Sequence, residues 1–115
     1  MTTTLFVEFD IKPGATEAFK QAAQALFERT QDEPGTLTYD YYLSEDGRRN
    51  VNVEVFRDAD AFTYHNRNAA DLVPALFDCL DKVSIVVMGD ANDGLWNELK
   101  DIETVYYPHL GGITR

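Results

Sequence analysis

The sequence predicts an α+β domain with its elements in the order β-α-β-β-α-β, followed by a C-terminal extension. Three observations carry that reading. Apolar residues alternate along 5–11, recur at helical spacing along 15–30, and return in two β-prone segments joined by Glu45-Asp46-Gly47. With a second helical stretch and a late apolar run, the order is that of the split βαβ, ferredoxin-like pattern.

Each element has its own signal. Leu5, Val7, Phe9 and Ile11 share one parity of a first strand, with Phe6, Glu8 and Asp10 on the other, and Pro13-Gly14 ends it. Ala18, Phe19, Ala22, Ala23, Leu26 and Phe27 make the apolar stripe of a helix that closes at Asp32-Glu33-Pro34-Gly35. The Thr- and Tyr-rich segment 36–43 is the second strand, with Leu37, Tyr39, Tyr41 and Leu43 on one face; 50–56 is the third. Asp58 or Asp60 caps a second helix whose stripe runs Ala61, Phe62, His65, Ala69, Leu72 and Val73, and Pro74 divides it from a further helical turn. Val83 to Met88 is a fourth strand closed by Gly89. Asn92 or Asp93 opens a short helix holding Leu95, Trp96 and Leu99, and 103–107 is β-prone before a tail.

A chain of 115 residues makes one domain, spanning 1–115, and buries enough surface to fold without disulfides or a structural metal. Twenty acidic against ten basic residues give a net charge of −10, which repels phosphate backbones and anionic lipid. Nucleic acid and membranes are therefore not expected partners. Cys79 is the only cysteine and reads as a small buried hydrophobe, as suits a reducing compartment. The N-terminus shows no leader and no apolar run approaches the length of a membrane span, so a cytoplasmic location is expected.

Two crossover helices cover one face of a four-stranded sheet. Strand 4 is apolar on both parities and strand 1 carries Phe6 opposite Leu5 and Val7, so the uncovered face is expected to meet the same face of a second copy in a two-fold dimer.

Several segments resemble the antibiotic biosynthesis monooxygenase (ABM) domain family. They are Lys12-Pro13-Gly14, Glu33-Pro34-Gly35-Thr36 with Tyr39, Glu54-Val55-Phe56, and Asp60-Ala61-Phe62-Thr63-Tyr64-His65. Met88-Gly89, Val105-Tyr106-Tyr107 and Gly111-Gly112 extend the match. The resemblance implies a dimeric α+β barrel with a small hydrophobic pocket between sheet and helices in each subunit. It also implies oxidation of phenols or quinols by molecular oxygen with no cofactor; relatives isomerise small dicarbonyl compounds or degrade haem. Many members carry Trp where this chain has Phe56.

The candidate chemistry centres on His65, which helical spacing puts on the buried stripe and whose imidazole can take a phenolic or enolic proton near neutral pH. The structural alternative is a core histidine bonded to a carbonyl or carboxylate. Glu54 shares a strand parity with Asn52 and Phe56, opposite Val51, Val53 and Val55, and is the candidate to orient His65 or to take a raised pKa itself; Asn52 is a candidate anion stabiliser. Tyr39, Phe56, Phe62 and Trp96 are the candidate walls of a site for a small hydrophobic or aromatic substrate, while Glu8 and His109 are weaker candidates. Arg57 and Arg67 are the cations available to a phosphorylated substrate. There is no phosphate loop, dinucleotide fingerprint, nucleophile elbow or metal-ligand cluster, and neither a cofactor nor a metal is expected. The leading expectation is a cofactor-independent monooxygenase acting on a hydroxylated aromatic or quinol-like substrate. The alternatives are an isomerase of a small dicarbonyl compound and a non-catalytic dimer that binds a small ligand such as haem.

Overall fold

The computed structural model describes residues 1–115 and contains a five-stranded mixed sheet with four helices. The strands are β1 (Thr3–Ile11), β2 (Thr36–Leu43), β3 (Arg49–Phe56), β4 (Leu80–Gly89) and β5 (Glu103–Tyr107), in the order β2-β3-β1-β4-β5. The first four pair antiparallel, as the ferredoxin-like pattern requires, and β5 adds parallel to β4. No helix is long and apolar enough to cross a membrane.

Alternation along β1 decides which face the helices cover. Leu5, Val7, Phe9 and Ile11 are buried, whereas Phe6 and Asp10 are half-buried and Glu8 is exposed. Helix α1 (Thr16–Thr30) buries Phe19, Ala23, Leu26 and Thr30, spaced three or four apart, against that inner face. Helix α2 (Ala59–Asn68) starts at Asp58, whose side chain accepts from the Ala61 amide at 2.8 Å; Asp90 Oδ2 accepts from the Ala59 amide at 2.9 Å. Two of the otherwise unpaired first-turn N–H groups are thereby satisfied, and the start of α2 is tied to the end of β4.

Three expectations need correcting. Leu72 and Val73 do not continue the stripe of α2: the helix ends at Asn68, and Val73 opens the short α3 (Val73–Phe77) with Pro74 in its first turn, where a missing N–H is harmless. Leu37 does not share a face with Tyr39. A β-bulge sets Thr36 opposite Phe56 and Thr38 opposite Val55, leaving Leu37 unpaired and 58% exposed. Strand β4 begins at Leu80 rather than Val83, because Leu80 still pairs with Ile11 across an irregularity. The last helix, α4 (Asp93–Glu98), starts where expected, with Asn92 Oδ1 accepting from the Leu95 amide at 3.0 Å.

The opposite, outer face carries a continuous apolar row. Phe6 stands between Val53 and Val86, and Val86 faces Val105. Val51, Val55 and Met88 flank the row, and none of these residues reaches full burial.

Candidate active site

The site is built on the inner face of β2 and β3. Along β3 the parity that turns inward is Asn50, Asn52, Glu54 and Phe56, and all four are buried. Pairing with β2 puts Tyr39 opposite Glu54 and Tyr41 opposite Asn52. Side-chain amides run as a ladder along the strand: Asn50 Nδ2 donates to Asn52 Oδ1 at 2.7 Å, and Asn52 Nδ2 donates to Glu54 Oε2 at 2.9 Å. Beside them the Tyr39 and Tyr41 hydroxyls are 2.9 Å apart.

His65 comes down from α2 onto this plate. Its ring stacks at a tilt on Tyr39, with centroids 4.9 Å apart, and on Phe56 at 5.3 Å. Its Nδ1 lies 2.7 Å from Glu33 Oε1. That carboxylate is held from two further directions, accepting from the Thr36 hydroxyl and from the Asn68 amide, both at 2.8 Å. With two other donors already on it, Glu33 acts as acceptor toward the imidazole, so the proton is assigned to Nδ1 and the lone pair to Nε2. Nε2 has no hydrogen-bond partner within the chain. Gly35 makes the close approach of this turn possible, since a Cβ there would stand 2.7 Å from Ala61 Cβ on α2.

The carboxylate bonded to His65 is therefore Glu33, not Glu54, the residue that strand parity nominated as its orienter. Glu33 is 6% exposed. The sequence shows it only as the acid before a Pro-Gly turn, with a hydroxyl three residues on at Thr36. An acid so placed looks like any solvated turn residue until the turn is known to lie against α2.

His65, Glu54, Asn52, Tyr39 and Phe62 line one cavity, in which the centres of water-sized spheres have about 80 Å³. Tyr41, on the same strand face as Tyr39 but not among the candidate walls, lines it as well. The opposite wall is apolar and comes from Leu5, Val7, Val83 and Ile85 on β1 and β4, with Leu26 of α1 and Leu76 of α3. Phe77 and the half-buried Asn66, Val73 and Ile102 form its more exposed rim. Phe56 is fully buried and lies edge-on to Phe62, backing the imidazole instead of facing the cavity. Trp96 lies outside the cavity, where its ring meets Tyr106 edge-on at 5.1 Å. Glu8 is on the outer face and His109 is in the exposed tail.

Electrostatically this is a site of weak acids in a dry place. Burial pushes the Glu54 carboxyl above its ordinary range, and the nearby Glu33 adds to the rise; the His65 ring and the Asn52 amide pull it the other way and lose. Burial, and next the charge of Glu54, raise both Tyr39 and Tyr41 far beyond ordinary phenols, so their hydroxyls stay protonated. No Lys or Arg lines the cavity. Arg57 is an exposed side chain 3.8 Å from Asp58, and Arg67 is 3.8 Å from Glu98. A phosphorylated substrate therefore finds no cation at this site. No group of three or more His, Cys, Asp or Glu side chains is arranged to hold a metal ion.

Residues 2–70 match the model of the family described as antibiotic biosynthesis monooxygenase, a span reaching from β1 through the whole of α2. No curated protein matches the chain. Among solved structures, MupZ from Pseudomonas fluorescens superposes with a TM-score of 0.83 at 24% identity, covering 99% of this chain and 94% of its own. A conserved protein from Methanosarcina mazei Go1 reaches 0.72 at 22% identity, over 79% of this chain and 94% of its own. A candidate antibiotic biosynthesis monooxygenase from Nitrosomonas europaea reaches 0.71 at 23% identity, over 80% and 92%. At such identities the structures show a shared fold and nothing finer. The match over residues 2–70 goes further: this chain belongs to the antibiotic biosynthesis monooxygenase family.

Proposed function

We propose that this protein is a cofactor-independent monooxygenase that uses His65 as general base on an uncharged, hydroxylated aromatic or quinol-like substrate. The observation that carries the reading is the Glu33–His65 pair, 2.7 Å apart, with the free Nε2 on a cavity that no cation lines. Glu33 holds the tautomer and steadies the imidazolium that forms when a proton is taken. The electron-rich carbanion or phenolate then reduces oxygen itself. For an anthrone-like methylene, CH₂ becomes C=O, one atom of O₂ is retained and the other leaves as water. The two walls suit the two reactants: a ring oxygen at the Tyr39, Tyr41, Asn52 and Glu54 side, and apolar O₂ at the aliphatic side built by β1 and β4. Tyr39 and Phe62 bound the substrate ring, Phe56 supports the base, and Trp96 stands apart from the substrate.

The same base serves an isomerase of a small dicarbonyl compound, a reading favoured by the protonated hydroxyls and raised carboxyl that face it. Oxygen uptake separates the two. With a panel of anthrones, quinols and flavonoid-like phenols, wild type is expected to consume O₂ and His65→Ala to lose about 10² to 10⁴ of the rate. Uptake undiminished in a folded His65→Ala protein overturns the assignment. Turnover without uptake selects the isomerase, tight binding without turnover selects a ligand carrier, and a Soret band on adding haem selects haem as that ligand. The homodimer belongs to the same proposal. Its support is the outer row of Val53, Phe6, Val86 and Val105, which no helix covers.

A further inference from the structure

With Glu33 rather than Glu54 holding His65, the role of Glu54 is open. Glu54 is 6% exposed, and its Oε2 accepts one amide hydrogen, from Asn52. That amide is committed elsewhere too, because Asn52 Oδ1 accepts from Asn50. No Lys or Arg lines the cavity, and His65, the one base in it, is tied to Glu33. A carboxylate so placed has one hydrogen bond and no counter-ion in direct contact, since the nearby His65 ring opposes the effect of burial without bonding to it. Two or three donors are the usual condition for burying the charge. Its second oxygen, Oε1, has no hydrogen-bond partner in the chain, and the side chain lines the same cavity as His65.

We propose that Glu54 works as a carboxylic acid, donating from Oε1 to the substrate oxygen on which negative charge collects as His65 Nε2 removes a proton. This rests on the reading of His65 as base and names what that base needs opposite it. In the step, a C–H or O–H bond of the substrate breaks and its proton goes to Nε2. The bonding pair spreads onto the carbonyl or phenol oxygen, which gains a stronger hydrogen bond from the carboxyl without taking its proton. A neutral donor suits this step, since it is present before charge develops and needs no water to reorganise. Asn52 is then a positioning residue: it holds Oε2 and leaves Oε1 to the substrate. The substrate class narrows to flat, uncharged ketones and phenols with oxygen at one edge and hydrocarbon at the other. Acids and phosphate esters are excluded, because a second anion beside Glu33 has no cation to meet.

The test uses 1-naphthol, with naphthalene as the same shape lacking the hydroxyl. Glu54→Leu is expected to weaken 1-naphthol about tenfold and to leave naphthalene unchanged. Equal losses for both probes, or no loss for either, overturn the acid role while leaving His65 as base, which oxygen uptake tests separately. A second measurement does not depend on how Glu54→Leu folds. The infrared difference between wild type and Glu54→Gln at neutral pH is expected to contain the carbonyl band of a protonated carboxyl, and that band is expected to shift when 1-naphthol binds. Absence of the band, or a band indifferent to 1-naphthol, overturns the proposal. Failure of wild type to bind either probe removes the cavity as a substrate site, and both readings fall together.

Discussion

The two faces of β3 reverse the usual arrangement of a half-covered strand. Under the helices lie Asn50, Asn52 and Glu54, all buried; on the face without helices stand Val51, Val53 and Val55, none of them fully buried. Amphipathic strands ordinarily turn their aliphatic side to the core. Burying two amides and a carboxyl costs stability unless each finds partners, and here they partner one another along the strand only in part, leaving Asn50 Oδ1 and Glu54 Oε1 without a partner in the chain. Exposing a valine row leaves apolar surface in water. The proposed function accounts for both costs together. Both make sense when the inner face performs chemistry and the outer face associates.

The largest expected effect lies on the outer face. Val53→Glu puts a carboxylate in the middle of the apolar row, next to Phe6 and across from Asp40. In a face-to-face dimer it is buried without a partner, so association is expected to weaken about a thousandfold. Sedimentation at micromolar concentration reads this as a change from twice 13.0 kDa to 13.0 kDa. A wild type that already sediments as a monomer sinks the associative half of the comparison.

The inner face is broken at Glu33. A Gln there can offer its amide to Nδ1 and so favour the wrong tautomer, with the proton on the nitrogen that faces the cavity. Turnover is expected to fall about a hundredfold or more. Circular dichroism and the pH profile distinguish this from unfolding, and unchanged turnover in the variant denies Glu33 its place.

A smaller effect concerns pH. The Glu54 carboxyl is raised from its ordinary 4.5 by burial, so between that value and the higher one the folded protein keeps a proton that the unfolded chain has released. Stability therefore falls as pH rises through the interval, by at most about 1.4 kcal/mol per unit, and Glu54→Gln removes the fall. Denaturation midpoints of the two proteins are expected to diverge from acid toward neutral pH, in favour of the variant. Parallel curves contradict the buried-acid assignment.

The smallest effect is a control. Trp96→Phe trims the edge contact with Tyr106 and is expected to cost about 1 kcal/mol of stability while leaving turnover as it was. A tenfold change in turnover would bring Trp96 back to the site.

Much of this was legible in the sequence, and the reasons can be named. Period-two and helical spacing give the element order because each element buries one side, and Asp58 and Asn92 announce their helices through the hydrogen bonds they make. The parity of β3 already separated Asn52 and Glu54 from the valines. Pairings between distant segments were not legible. Glu33 meets His65 because the turn after α1 packs on α2, and nothing local to either residue announces it. Leu37 defeats simple alternation because a bulge adds one residue to the count. Trp96 was nominated as a wall for its size and late position, but α4 and β5 fold it onto Tyr106 instead.

The bulge at Leu37 also limits how the sheet can grow. An open sheet has two edges, and a straight, regular edge is a template on which further chains stack into filaments. Here one edge, β2, is kinked at Leu37 and carries the exposed Asp40. The other, β5, is five residues long and runs straight into Pro108, which has no N–H to donate. Both edges are thus poor templates for a further strand, so edge-to-edge growth is disfavoured whether or not the broad face is occupied.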